Sequence, residues 1–104
     1  VGLGLKIREL RDGMSRVYVQ GIIKAVKDIR NVRLRTGEEA RVGDFILSDD
    51  SGEITLVLWN EDIDRVKEGD SVAVENGYTN TFRGTLRLNV GRYGRLVVGV
   101  EERP

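Results

Sequence analysis

Two short runs that alternate apolar and polar residues flank a four-residue turn signal, and together they commit the middle of the chain to a β-hairpin. Val42 to Ser48 reads as one strand and Glu53 to Trp59 as the next. Between them, Asp49-Asp50-Ser51-Gly52 offers side chains that bond their own backbone and a glycine free to take positive φ. Successive side chains in a strand face opposite ways. Ile54, Leu56 and Leu58 are therefore predicted to form a buried row, and Glu53, Thr55, Val57 and Trp59 an outward one.

The remaining segments add strands of the same kind. Val17, Val19, Ile22, Ile23, Ala25 and Val26 make an extended first strand, and the doubling at Ile22-Ile23 after Gly21 predicts a bulge that flips its register. A strand bent in this way can serve two sheets. Asp28 to Arg41 is polar and basic with Gly37, and reads as a loop or a ragged hairpin. After Trp59, the i, i+3 spacing of Ile63 and Val66 with Asn60 as a cap fits a helix of one to two turns, and Lys67-Glu68-Gly69-Asp70 then turns the chain. A fourth strand is expected over Ser71 to Glu75, a loop over roughly Asn76 to Gly84, and a fifth strand with Leu86, Leu88 and Val90 facing in. Leu96 to Val100 supplies a closing strand after Gly91-Arg92-Tyr93-Gly94, and Ile7-Arg8-Glu9-Leu10 before Gly13-Met14 reads as a helical or 3₁₀ turn plugging one end. An all-β chain of five strands with a short helix between strands 3 and 4 has the order of an OB-fold, a partly open five-stranded barrel.

A chain of 104 residues fits one such domain over 1–104. It starts at Val1 rather than Met, which reads as a trimmed protein or a domain cut from a longer one. No apolar run approaches the ~20 residues of a membrane helix and no signal peptide opens the chain, so a soluble protein of the cytoplasm, away from membranes, is expected. Cysteine and histidine are both absent, which excludes disulfides, thiol catalysis, imidazole triads and the usual zinc sites. The acidic pairs Asp49-Asp50 and Asp62-Asp64 lie in a turn and a short helix with no convergent third ligand, so turn and capping roles explain them better than a metal or nuclease site. No cofactor, no metal and no catalysis are expected.

Seventeen basic and seventeen acidic residues cancel, yet they are segregated along the chain. Ten cations stand against five acids in residues 1–43, two against ten in 44–76, and five against two in 77–104. A neutral protein with a basic face opposite an acidic one can still hold a phosphate backbone; ordinary solvated surface is the plainer reading. Trp59 sharpens the choice. The only tryptophan is placed on the outward face of its strand, where a large aromatic offers a platform for something flat, and a nucleic-acid base is the commonest flat partner. An aromatic packed beneath a neighbouring loop is the alternative.

The ordered series Ile46-Leu47-Ser48-Asp49-Asp50-Ser51-Gly52-Glu53-Ile54-Thr55-Leu56-Val57-Leu58-Trp59, Lys67-Glu68-Gly69-Asp70, Asn76-Gly77-Tyr78, Phe82-Arg83-Gly84-Thr85-Leu86-Arg87-Leu88 and Gly91-Arg92-Tyr93-Gly94 resembles the single-stranded DNA-binding OB domains of archaea. It is similar both to the short archaeal single-stranded DNA-binding protein, itself similar to the eukaryotic SOSS subunit, and to the OB domains of archaeal replication protein A. The resemblance runs from about Ile7 to Leu96. It implies that bases stack on Trp59, Tyr78 and Phe82. Tyrosine stands at Tyr78 where some members carry tryptophan, which implies weaker stacking there, and the zinc module of some replication protein A chains has no cysteines to build it.

Strand parity alone is less generous to two of the three. Tyr78 shares parity with Val72 and Val74, which places it in the core unless Asn76-Gly77 breaks the register. Phe82 follows the parity of Leu86 and Leu88 but falls in the predicted loop, where alternation need not hold. Tyr18 and Tyr93 are candidates for accessory stacking or for plain surface packing. Phosphate contacts are expected from Lys24, Lys27, Arg30, Arg33, Arg35 and Arg41 around the first long loop and from Arg83, Arg87 and Arg92 near the last hairpin, bracketing the groove between the aromatics. The expected function is non-catalytic binding of about 4–5 nucleotides of single-stranded DNA with little sequence preference, in replication, recombination or repair alongside other proteins of those processes. A protein-interaction module of a replication or repair assembly, and an RNA- or tRNA-binding OB domain, are the alternatives.

Overall fold

A computed structural model describes residues 4–100. Six strands carry the chain: β1 (Ser15–Arg33), β2 (Glu39–Asp49), β3 (Gly52–Trp59), β4 (Ser71–Phe82), β5 (Thr85–Asn89) and β6 (Arg95–Val98). A short helix, α1 (Glu61–Arg65), lies between β3 and β4, and a 3₁₀ turn spans Ile7–Glu9. The sheet order β1-β2-β3-β5-β4-β6, with β1 also paired to β4, closes the first five strands into a ring and leaves β6 flanking β4. All these pairings are antiparallel except β3 with β5. Among the described residues no helix is long and apolar enough to cross a membrane.

The ring closes because β1 bends. Its first half, Ser15 to Ile22, pairs with β4, and its second half, Ile22 to Arg33, pairs with β2. The bulges that bend it against β2 fall at Lys24 and Lys27, each an extra residue without a partner opposite, and not at Ile22-Ile23. Alternation in fact continues through that doublet, with Ile23 buried and Ile22 exposed. The basic stretch expected as a loop is a β-ribbon, because β1 continues to Arg33 and β2 starts at Glu39. A tight turn joins them, closed by hydrogen bonds from the Leu34 amide to the Glu38 carbonyl at 2.8 Å and from the Gly37 amide to that of Leu34 at 2.9 Å.

Phe45, Ile23, Leu47, Leu56, Leu58, Leu88, Val19, Val72 and Val74 fill the ring. Ile7 and Leu10 join this core from the 3₁₀ turn, which plugs one end as expected. Asp49 and its neighbours hold the plug. The Ile7 amide donates to Asp49 Oδ2 at 2.9 Å, the Arg8 amide to Ser51 Oγ at 3.0 Å, and Lys6 pairs with Asp50 at 2.9 Å. On the hairpin side Asp49 Oδ1 accepts from the Ser51 amide, the Ser51 hydroxyl and the Gly52 amide. Burial raises the Asp49 pKa, but these hydrogen bonds outweigh it and hold the carboxyl below its ordinary value.

Two further boundaries differ from expectation. The closing strand is Arg95–Val98 rather than Leu96 to Val100, because Gly99, at φ 83, leaves the ladder. Asn60 precedes α1 but does not cap it with its side chain; its Oδ1 accepts from the Arg41 amide at 3.0 Å, tying the end of β3 to β2.

Candidate nucleic-acid interface

The decisive local event is a bulge in β4. Val19 pairs with Val74 and Val17 with Gly77, so two steps along β1 meet three along β4, and Asn76 takes φ 55 to absorb the excess. Beyond it the faces exchange: Tyr78 points out while Thr79 is buried. The register break that Asn76-Gly77 was capable of making is therefore made. Gly77 is required at this point, since a Cβ there would lie 2.7 Å from Val74 Cγ1 and 2.8 Å from the Asn89 carbonyl oxygen.

No loop follows; β4 runs on to Phe82, and only Arg83 and Gly84, at φ 52 and 79, form the turn into β5. Positive φ at both central residues is the hairpin turn that matches strand twist. This turn also corrects the parity of Phe82. Its partner across the ladder is Thr85, and paired residues share a face, so Phe82 lies with Thr85, Arg87 and Asn89 rather than with Leu86 and Leu88.

The pairing then places all three aromatics on one surface. Asn89 pairs with both Tyr78 and Val57, and Trp59 lies two residues beyond Val57 on the same face of β3. Trp59, Tyr78 and Phe82 are 44%, 42% and 51% exposed. Strand spacing sets Tyr78 and Phe82 about 13 Å apart along β4 and Trp59 about 12 Å from Tyr78 across the sheet. Two of the rings have a seat of their own. Tyr78 lies over Gly91, where a Cβ would fall 2.9 Å from the ring. Phe82 stands with the guanidinium carbons of Arg83 and Arg87 at 5.2 and 5.3 Å from its centroid. Trp59 pairs with the buried Val42.

Between the rings the face is not open. Thr55 and Val57 point outward as expected yet are buried, because side chains from β2 and β5 close over them. Asp44, opposite Val57, accepts from Arg87 Nη2 at 2.8 Å and lies 3.6 Å from Arg30 Nη1. The Arg87 and Asp44 side chains are only 14% and 21% exposed. A groove lined by Lys27, Arg30, Asp44, Thr55, Phe82, Arg83, Thr85 and Arg87 runs along this end of the face. A second concavity joins Tyr78 to Ser15, Arg16, Gly91, Arg92 and Tyr93.

Of the nine candidate phosphate contacts, five are already paired: Lys24 with Glu53, Arg30 with Asp28 and Asp44, Arg33 with Glu39, Arg41 with Asp64, and Arg87 with Asp44. Arg41 is held by both Asp64 oxygens, at 3.2 and 2.6 Å, and its hydrogen bond and charge push the carboxyl of Asp64 down. Lys27, Arg35, Arg83 and Arg92 have no carboxylate partner among the described residues, Arg92 lying 5.9 Å from the centroid of Tyr93. Tyr93 is 81% exposed, whereas Tyr18 is half-buried beside Gly4, away from this face. Sequence reasoning missed Asp44, Asn80 and Asn89. Asp44 carried a signal, since it sits at outward parity between Val42 and Ile46; the two asparagines became legible only once β4 was continuous.

A family model described as single-stranded DNA binding protein Ssb-like, OB fold, matches residues 14–98. The chain belongs to this Ssb-like family. Its likeness to the single-stranded DNA binding protein Ssb of Saccharolobus solfataricus is 27% identity over 97 residues, 93% of this chain and 65% of that protein. The second OB-fold domain of replication protein A from Methanococcus maripaludis is 27% identical and matches over 98% of both chains at a TM-score of 0.73. An OB domain from Thermoplasma acidophilum shares the fold at a TM-score of 0.79 with 22% identity, over 96% of this chain and 90% of that one. The ring of strands is thus an OB-fold, and the aromatic face of this Ssb-like domain lies on β3, β5 and β4.

Proposed function

We propose that this domain binds single-stranded DNA without catalysis, stacking bases on Trp59, Tyr78 and Phe82 while basic side chains at either end of the face meet the phosphates. The observation that carries the reading is three half-exposed aromatic rings on one face of β3 and β4, with Tyr78 lying over Gly91 and Phe82 beside Arg83 and Arg87. Membership of the Ssb-like family and the likeness to replication protein A domains support it. Stacking tolerates any base because every base has a π-face, so sequence preference is small. Such a protein works in the cytoplasm at the nucleoid, in replication, recombination or repair. Lys27, Arg35, Arg83 and Arg92 are the cations ready to meet phosphate; Lys24, Arg30, Arg33, Arg41 and Arg87 must first share or leave a carboxylate.

The test uses Trp59 as its own reporter. Oligo-dT should quench the lone tryptophan saturably, and binding should weaken with salt at a log–log slope no steeper than about −3, as four free cations releasing ~0.7 counterion each would give. Trp59→Ala, followed by anisotropy of a labelled oligonucleotide, should lose about 1–3 kcal/mol while the domain stays folded. Absence of quenching by a folded protein would overturn the reading, and stronger binding of the matched RNA strand would move it to RNA.

A further inference from the structure

Between Tyr78 and Phe82, on the same face of β4, the only intervening side chain is Asn80. Its orientation is set from below. Asn89, buried, donates from Nδ2 to Asn80 Oδ1 at 3.0 Å and lies 3.5 Å from the Tyr78 carbonyl oxygen. Two acceptors around one nitrogen fix the Asn89 amide, and the Asn89 donor in turn fixes Asn80 with its oxygen inward. The Asn80 NH₂ group is left to face outward from an exposed residue. Its cross-strand neighbour Arg87 also presents donors, since Asp44 takes one of five guanidinium N–H groups.

The floor of this subsite therefore offers hydrogen-bond donors, while the acceptors nearby are engaged: Asp44 by two arginines and Asn80 Oδ1 by Asn89. We propose that Asn80 reads the edge of the base seated between Tyr78 and Phe82, donating from its amide to an acceptor on that edge. Thymine, cytosine and guanine present carbonyl oxygens to a donor and adenine its ring nitrogens, so every natural base can accept this bond while a non-polar isostere cannot. This rests on the single-stranded DNA reading above and refines it. Stacking accepts every base, and one amide adds a hydrogen bond to it.

The experiment compares oligo-dT with an oligonucleotide of equal length in which thymine is replaced by difluorotoluene, an isostere that keeps the shape and loses the carbonyls. Both are titrated against the wild-type domain, Asn80→Ala and Asn80→Asp. Asn80→Asp retains the inward oxygen for Asn89 and removes the outward donor, so it guards against a defect caused by orphaning Asn89. The wild type is expected to discriminate the two oligonucleotides about 3- to 10-fold more strongly than either variant, the worth of one hydrogen bond. Equal discrimination by all three proteins would overturn the role of Asn80 and leave the binding function standing. Failure of the wild type to bind oligo-dT at all would overturn both.

Discussion

Replacing Asp44 by asparagine should make the domain less stable and a better DNA binder at once. Arg87 Nη2 and Asp44 Oδ1 are 2.8 Å apart with side chains 14% and 21% exposed. At an effective dielectric of about 20 the gross attraction is near 6 kcal/mol, most of it offset by desolvation. The net value lies between exposed pairs, worth up to about 1 kcal/mol, and buried ones, whose disruption costs about 3–5. The substituted amide would keep an oxygen for the arginine, so a loss of about 1–2 kcal/mol is expected, read from urea denaturation followed by Trp59 fluorescence. The effect on DNA has the opposite sign. A phosphate entering the groove about 7 Å from this carboxylate meets a repulsion between about 0.6 kcal/mol in bulk water and about 2 kcal/mol at the intermediate dielectric. Removing it should tighten oligo-dT binding about 3- to 30-fold and steepen the salt slope by about 0.7, since one more cation is released to meet phosphate. Weaker binding by a folded Asp44→Asn domain would refute this. It would mean that the carboxylate serves DNA binding by holding Arg87 flat beside Phe82.

Two further outcomes test the scaffold around the site. Gly91→Ala places a Cβ 2.9 Å from the Tyr78 ring at a residue with φ 80, and should cost about 1–2 kcal/mol in denaturation while also weakening oligo-dT binding; a stability loss with unchanged affinity would show that the seat of Tyr78 is irrelevant to the ligand. Asp49, whose folded pKa is depressed, contributes stability that is fully present above its ordinary value of 3.8 and drains as pH falls through the lower folded value. Asp49→Asn should therefore lose about 1–3 kcal/mol near neutrality and flatten the acid limb of the stability curve, and a parallel acid limb in the two proteins would contradict the role given to its hydrogen bonds.

Alternation along β3 was enough to read the sheet, the row of Ile54, Leu56 and Leu58, and Trp59 on the opposite face, because a regular strand keeps its period from end to end. Parity failed where the backbone inserted or removed a residue. Tyr78 lies beyond the bulge at Asn76, and Phe82 precedes a two-residue turn that pairs it with Thr85; in both cases the count along the chain is right and the face is wrong. Bulges against β2 at Lys24 and Lys27 each follow an apolar pair, Ile22-Ile23 and Ala25-Val26, so the doublet marked the neighbourhood of a bulge but not the residue that is extruded. The burial of Thr55 and Val57 was illegible for another reason. Their cover comes from β2 and β5, and β5 becomes their neighbour only through the parallel closure of the ring.

Charge shows the largest gap between chain and fold. Cations concentrated in residues 1–43 and acids in 44–76 suggested opposite faces, but the ladder interleaves them. Glu53 on β3 reaches Lys24 on β1, Asp44 on β2 reaches Arg87 on β5 and Arg30 on β1, and Asp64 on α1 reaches Arg41 on β2. The acids of the central segment thus hold the site's own cations in place, on the same surface as the aromatics. Fixed guanidinium groups beside stacking rings lose little freedom when a base arrives, while the paired carboxylates cap how many counterions a bound strand can release. On the proposed reading, affinity comes mainly from the rings. Three rings, each worth about 1–3 kcal/mol before the cost of ordering a flexible strand, make one domain a modest binder, and linking several through effective concentration is the physical route to a tight one.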